Sequence, residues 1–538
     1  MTTVADLLLA REDDDRIGLF HEDGTWTFRQ VLAEGRRRAA LYAELHDPAA
    51  PPHIGVLLDN APDYIFWLVA AALSGSVVVG INSTYRGEQL AQLISHSDCD
   101  VLVTSSDQSK ILDGAPLDLT SDRILLVDDP EHRERLDSIE PFGAPARPVV
   151  EDDLFLLVFT SGSTGLPKAV RCTQGRLART GAHVATVAAL GDSDVVYSPL
   201  PFFHSSSLFT GWSSTLNAGI PIATRRKFSA SRTMGDVRRY GATMLTYTGK
   251  VLNYLLAVPE EADDAGVPLR LAIGNEASEH DIKAFARRYD CQVRDSYGST
   301  EGVVIIRRDP SMPPGALGLA ADTVRVIRPE TGQECPRAVF DANGRVLNLE
   351  DAVGEIVETQ PSSGFEGYYN NESAVQERFR DGWYWSGDLA YRDEAGWFFF
   401  AGRSNEWLRV DGENFSAAPV EAIVGRHPDV RSVAIYAVPD DPVGDRVMAA
   451  VELHEGRQLD PDGFDDFLAG QPDLGPKWVP AFVRIEAELP KLASMKLDKT
   501  SLRRDAWRAE QVLWRPAKGE RLRPLADHDR ERLDPLLP

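Results

Sequence analysis

The sequence predicts an α/β protein in which a large N-terminal domain of βα-layered sheets carries a β subdomain and is followed by a small α+β C-terminal domain. Three observations lead there. Through residue 300, short apolar runs alternate with amphipathic stretches, the pattern of parallel strands with covering helices. From residue 319 the texture changes to short strands separated by Gly and Asp turns, as in VRVIRPETGQE, VGEIVETQ and GWYWSGDLAYRDEAGWFFFAGR. Beyond residue 404 the pattern starts afresh, over a stretch of independent domain size. The expected boundaries are 1–404 for the N-terminal domain, with its β-rich part at 319–404, and 405–538 for the C-terminal domain and tail.

Each element has its own signal. Thr27 stands in a capping position ahead of a helical repeat of apolar residues. Strands are expected at 53–58, 77–81 and 101–104, separated by helices at 63–73 and 86–95. The longest apolar run, 66–81, is too short to span a bilayer and is broken by Ser74, Gly75, Ser76 and Gly80, so it reads as a buried helix running into a strand. Residues 107–153 contain several prolines and are expected to wander over the surface. The alternation resumes with an apolar strand at 154–159, a helix at 176–190, and strands at 194–199, 220–224 and 243–248. Helices at 231–240 and 279–288 flank a further strand that ends in LAIGNEAS. In the C-terminal domain Pro419 can open a helix at its first turn. The tail after Trp514, rich in Arg, Pro and Asp, is expected to be only partly ordered.

Composition sets bounds on function. The 538 residues, 43% of them hydrophobic, can bury large cores. A net charge of −25 argues against a nucleic-acid partner, which would need a basic face. Cys99, Cys172, Cys291 and Cys335 lie far apart without CxxC spacing, so neither a disulfide framework nor a zinc site is expected and a reducing cytoplasm is the simpler home. The N-terminus has acidic residues after a short apolar stretch and no small-residue cleavage pattern, unlike a secretory signal. Any membrane contact is expected to be peripheral.

The chemistry concentrates in a few polar clusters. Thr160-Ser161-Gly162-Ser163-Thr164-Gly165-Leu166-Pro167-Lys168 follows a buried strand and combines free backbone N–H groups, hydroxyls and one cation, which suits phosphate oxygens. A mobile surface loop has a similar composition. It is not a Walker loop, because Pro167 precedes the lysine and the following residues alternate like a strand. In SYGSTEG, Tyr297, Gly298, Thr300 and Glu301 place an aromatic face, a hydroxyl and a hard carboxylate ligand within five residues. A turn with an exposed tyrosine and glutamate is the competing reading.

Together with PLPFFHSSS, LAIGNEAS, SGDLA, GRSNE, VDGEN and LPKLASMK, these motifs resemble, in order and over nearly the whole chain, the AMP-forming acyl-CoA synthetases of the adenylating superfamily. The texture looks most like the fatty-acid-transport-protein or very-long-chain branch, including actinobacterial ligases for long fatty acids and steroid side-chain acids. The resemblance implies a mobile C-terminal domain and an ATP, Mg2+ and CoA requirement. It implies catalytic roles for Lys496, Thr300 and His204. Nucleotide contacts are implied for the 160–165 loop, Lys168, Gly274, Glu276, Tyr297, Gly298, Thr300, Asp388 and Arg403, and metal binding for Glu301. Phe203, His204, Tyr247 and Gly249 would line the acyl pocket, and Asn405 and Gly412 would serve the hinge and CoA. Met495 departs from the glycine usual before the lysine. Two alternatives stand beside CoA ligation: transfer to a carrier protein's phosphopantetheine, and a non-catalytic lipid-binding or uptake protein. The resemblance also allows a homodimer.

Overall fold

A computed structural model describes residues 2–160, 167–249, 251–277, 279–309, 311–313, 315–341, 346–361, 364–403, 407–410, 413–440, 444–471, 474–475, 477–491, 497–517 and 519–537. The described residues fall into two compact units. One holds residues 2–303 and 364–377, the other 304–361, 378–491 and 497–537.

The first unit contains two largely parallel sheets. In the six-stranded sheet the order is Ile124–Leu126, Cys99–Thr104, His53–Leu57, Val77–Gly80, Leu154–Thr160 and Lys168–Thr173. Only the last pair is antiparallel. The strands Val77–Gly80 and Cys99–Thr104 are buried at every residue, as strands covered on both faces must be. The predicted helix and strand within the apolar run are Pro62–Ser74 and Val77–Gly80. Pro62 opens that helix, and Gly75, at φ 76°, closes it in the left-handed conformation that glycine adopts without strain. Thr27 caps the helix Phe28–Leu45 through a capping box with Gln30.

The seven-stranded sheet runs Gln292–Asp295, Leu271–Asn275, Met244–Thr248, Val196–Tyr197, Ile222–Ala223, Ile17–His21 and Gly24–Thr27. Its pairs are parallel except the terminal hairpin. The parallel strands Met244–Thr248, Leu271–Asn275 and Gln292–Asp295 lie side by side, so their C-terminal ends open at one edge, where α/β sheets bind ligands.

Two expectations need correction. Residues 107–153 are not only a surface excursion: Ile124–Leu126 adds a parallel strand to the sheet edge, and the helix Pro130–Ser138 buries His132 and Leu136. The tail is not loosely ordered either. Leu525, Leu533 and Leu537 pack with Trp507 and Trp514, and the Trp514 ring lies 4.9 Å from the Arg523 guanidinium and 5.1 Å from that of Arg532. The arginines that read as solvent-loving in sequence spread their planar heads over an aromatic ring.

The second unit is built on antiparallel pairing. One sheet runs Ile306–Arg307, Ala316–Ala320, Phe398–Arg403, Trp383–Arg392, Gly354–Glu358 and Val324–Ile327. Another runs Val430–Asp440, Gly444–Leu453, Phe482–Glu486, Gln511–Trp514 and Arg523–Pro524, with the second and third strands parallel. Residues of the helices Ala417–Val424 and Pro461–Ala469 join the core on that sheet. The four cysteines are buried free thiols, and burial pushes those of Cys99, Cys172 and Cys291 up to about 12. No helix among the described residues is long and apolar enough to cross a membrane.

Candidate active site

The strands Leu154–Thr160 and Lys168–Thr173 pair antiparallel, with Thr160 opposite Lys168. The sequence expected this strand, loop and strand. Ser161, Gly162, Ser163, Thr164 and Gly165 lie outside the described residues. Lys168 is only 9% exposed; its Nζ lies 3.1 Å from Glu377 Oε2 and 5.4 Å from the centre of the Tyr368 ring. A lysine sequestered this way spends part of its charge on a surface carboxylate and part on a π face, and both contacts fix its position. The hairpin leads into the helix Gln174–Val187, whose N-cap Thr173 accepts a hydrogen bond from the Arg176 N–H. Thr173 donates its own N–H and hydroxyl to the two oxygens of Glu366, each at 2.7 Å.

Those contacts bring residues 364–377 against the turn that carries Thr300 and Glu301. The Tyr368 hydroxyl donates to Glu301 Oε1 at 2.8 Å, and Glu301 is 6% exposed. The Thr300 hydroxyl lies 3.0 Å from that of Ser205, the residue after His204. Arg176 donates to the main-chain oxygens of Thr300 and Glu301. Lys168, Thr300, Glu301 and the segment after His204 are thus linked through Tyr368, Arg176 and Ser205.

The segment bearing Phe203 and His204 is anchored from behind. The Phe202 N–H donates to Asn60 Oδ1, whose amide nitrogen donates to Leu200 O, and the His204 N–H donates to Pro201 O. Phe203 is buried, and the chain then winds into a π-helix, Ser206–Trp212, a wider coil that recurs at functional sites. Nothing in the spacing of LPFFHSSS announces that coil.

On the seven-stranded sheet, Gly274 sits where a Cβ would come 2.1 Å from Tyr247 O and 2.6 Å from its ring, so only glycine fits. Gly274 O accepts from the Ser296 N–H, and Asn275 O accepts from the Gly249 N–H. Glu276 follows with φ 64°, a strained conformation for a residue with a side chain. Tyr247 is fully buried and donates to Asp295 Oδ2 at 2.9 Å; the Ala277 N–H donates to the same oxygen. Tyr297 is half-buried and Gly298 exposed.

In the second unit, Asp388 and Arg403 face each other across the paired strands Trp383–Arg392 and Phe398–Arg403. Ser386 Oγ accepts from the Asp388 N–H, and Glu355 Oε1 accepts from the Gly387 N–H. Burial pushes the Glu355 carboxyl above its usual range, against the Gly387 N–H and Arg380. The Arg403 side chain, Asn405, Gly412, Met495 and Lys496 lie outside the described residues.

A carboxylate as sequestered as Glu301, with one oxygen already taken by Tyr368, is the hard oxygen donor that Mg2+ takes alongside substrate phosphates. The donor set therefore fits the ion. Sequence reasoning missed Arg176, Ser205, Glu366, Tyr368 and Glu377. All five act at long range in the chain, and the one local sign was Tyr368 within the aromatic run FEGYYNN.

A sheet edge with a hydroxyl-rich hairpin, a buried lysine and a carboxylate fits a nucleotide-handling enzyme, and the AMP-binding enzyme family matches residues 9–369, with its C-terminal domain at 419–496. The chain belongs to that family. It is 45% identical over 519 residues to a steroid-22-oyl-CoA synthetase of Rhodococcus jostii, covering 96% of this chain and 93% of the relative. It is 43% identical to the medium/long-chain-fatty-acid–CoA ligase FadD17 of Mycobacterium tuberculosis, covering 95% and 98%. Among solved structures, the o-succinylbenzoate CoA synthetase of Bacillus subtilis with its acyl-adenylate superposes with a TM-score of 0.77 at 24% identity, covering 93% of this chain and 98% of that one. The anthranilate CoA ligase AuaEII with anthranoyl-AMP gives 0.79 at 20%, covering 94% and 97%. These two show the fold. The protein is an AMP-forming acid–CoA ligase that uses a carboxylic acid, ATP and CoA, with Mg2+ as cofactor. That settles the alternative of a non-catalytic lipid binder in favour of an enzyme.

Proposed function

We propose that this ligase activates a long-chain or bulky apolar carboxylic acid, a fatty acid or a steroid side-chain acid, before its transfer to CoA. The linkage of Lys168, Tyr368, Glu301, Thr300 and Ser205 supports the assignment of the reacting centre. The two relatives above, named for steroid and medium/long-chain acids, support the substrate class.

The chemistry explains why these groups are needed. A carboxylate does not react with a thiol at neutral pH, because the leaving group would depart from an already negative centre. In the first step a carboxylate oxygen bonds to the α-phosphorus and the bond to pyrophosphate breaks. Two anions must meet, so cations and oriented donors are required where charge develops. Lys168 and the N–H groups of residues 162–165 hold the polyphosphate, and Thr300 donates to the α-phosphate. Glu301 would hold Mg2+, which would supply neutralising charge when bound. Tyr297 stacks on the base, Gly274 and Glu276 contact the nucleotide, and Asp388 and Arg403 bind the ribose. His204 and Phe203 separate nucleotide from acyl pocket, which Tyr247 and Gly249 also border. Lys496 bridges carboxylate and α-phosphate. In the second step the CoA sulfur bonds to the acyl carbon and AMP leaves. The C-terminal domain turns at Asn405 for that step, and Gly412 admits the pantetheine arm.

Carboxylate-dependent exchange of labelled pyrophosphate into ATP tests this reading with short, long and steroid acids. Exchange with the long or steroid acids, lost in Lys496→Ala, is expected; exchange confined to short acids would refute the substrate class. Asn405→Pro should spare exchange and slow thioester formation. We place the enzyme in the cytoplasm with at most peripheral contact at the inner membrane face, which fractionation at low and high salt would test.

A further inference from the structure

Arg176 is 7% exposed, yet its guanidinium meets main-chain oxygens rather than a carboxylate among the described residues. Nη1 donates to Arg171 O at 2.7 Å; Nη2 donates to Thr300 O at 2.5 Å and Glu301 O at 2.9 Å. Its plane lies 5.7 Å from the centre of the Phe209 ring, in the π-helix. Burying a cation without an anion is unfavourable, and carbonyl dipoles offset only part of the lost hydration. A methionine would pack the same space more cheaply, so the charge has another use.

That use follows from what the three carbonyls belong to. Arg171 lies in the second strand of the phosphate hairpin, and Thr300 and Glu301 form the turn that bears the hydroxyl and the carboxylate. The planar fork spans these otherwise separate segments. Two further contacts grip the same turn by its side chains: Ser205 on the Thr300 hydroxyl and Tyr368 on Glu301 Oε1. Gly302 closes the turn at φ 71°, where an added Cβ would stand 3.2 Å from Arg176 Nη2.

We infer that Arg176 is a positioning residue for the metal–nucleotide site: it pins the Thr300–Glu301 peptide to the phosphate hairpin while Tyr368 orients the Glu301 carboxylate. The inference rests on Glu301 as the metal ligand. Lysine keeps the charge but lacks the fork and cannot hold three carbonyls in fixed geometry.

The test is binding of Mn2+ by electron paramagnetic resonance, on full-length protein with ATP and no acid, beside calorimetric titration of ATP in EDTA. Arg176→Lys and Tyr368→Phe should each weaken Mn2+ binding about 10-fold, the size expected for a group that orients a metal ligand. The KM of the acid should stay unchanged, and any loss of metal-free ATP affinity, which comes through Thr300, should be smaller than the loss of Mn2+ affinity. The double variant should lose less than the product of the two, because both act on one carboxylate. Unchanged Mn2+ affinity in a folded Arg176→Lys protein, with affinity lost in Glu301→Gln, would overturn the role of Arg176 and leave Glu301 in place. Unchanged affinity in Glu301→Gln would overturn the ligand assignment and the inference with it. If Arg176→Lys does not fold, Tyr368→Phe and Ser205→Ala decide: no change in Mn2+ or Mn2+·ATP affinity in either counts against a held turn.

Discussion

In the six-stranded sheet the site emerges from one antiparallel pair at the sheet edge, so Thr160, Lys168 and the residues between them are neighbours in the chain. In the seven-stranded sheet it emerges from three parallel strands, Met244–Thr248, Leu271–Asn275 and Gln292–Asp295. There Tyr247, the Gly274–Glu276 turn and Thr300 come from places separated by whole helices. A hairpin needs only its own register to bring its groups together. Parallel strand ends need the helices between them and the close fit of each strand on the next. Damage to the hairpin should therefore be chemical and local, whereas damage to the parallel edge should spread through packing.

The largest expected effect is chemical. Lys168→Met should cut pyrophosphate exchange about 100-fold, the usual loss of one preorganised charge at a phosphoryl centre, while thermal stability falls little. A large drop in melting temperature would blur the contrast between the two edges. Gly274→Ala should do the reverse. Its Cβ would come 2.1 Å from Tyr247 O, and overpacking of this kind costs about 1–3 kcal/mol. The melting temperature should fall and all acids should lose activity together; selective loss for one acid would show that Gly274 acts on the pocket and not on strand packing.

The smallest effects concern pH and set the first unit against the second. Burial favours the neutral form of Asp194, but hydrogen bonds from Arg270 and the Thr243 hydroxyl outweigh it and hold the carboxyl below its usual range. Its stabilising contribution is present above the unfolded pKa, about 3.9, and is lost as pH falls through the lower folded value. Asp194→Asn should flatten acid unfolding in that window. Glu355 has the opposite sign, because burial raises it. Its contribution is present below about 4.3 and is lost as pH rises through the higher folded value. Glu355→Gln should gain on the native protein as pH rises above that point; parallel pH profiles would remove the distinction.

Local order in the chain was enough for several parts. The apolar run at 66–81 has the length of one helix and one strand, and a glycine at its break decides where one ends. The two strands that flank the Thr160 to Lys168 cluster were legible because they are contiguous in the chain and pair as a hairpin. The alternation of strands and helices points to parallel sheets because a parallel pair requires a crossover. Where local signals misled, the missing information was a partner: Ile124–Leu126 becomes a strand only beside Cys99–Thr104, and the arginines of the tail settle only around Trp514.

What residue order decided about this ligase is its class: an α/β architecture, motifs in the order of an adenylating enzyme, and the chemistry each side chain can offer. What folding alone decided is which of those groups meet. Arg171, Arg176, Ser205, Thr300, Glu301 and Tyr368 are scattered over some 200 residues, and three of the five contacts that join them run from side chain to main chain. A carbonyl is present at every position, so no residue pattern marks the ones that Arg176 will find. Only the packing of the hairpin against the turn selects them.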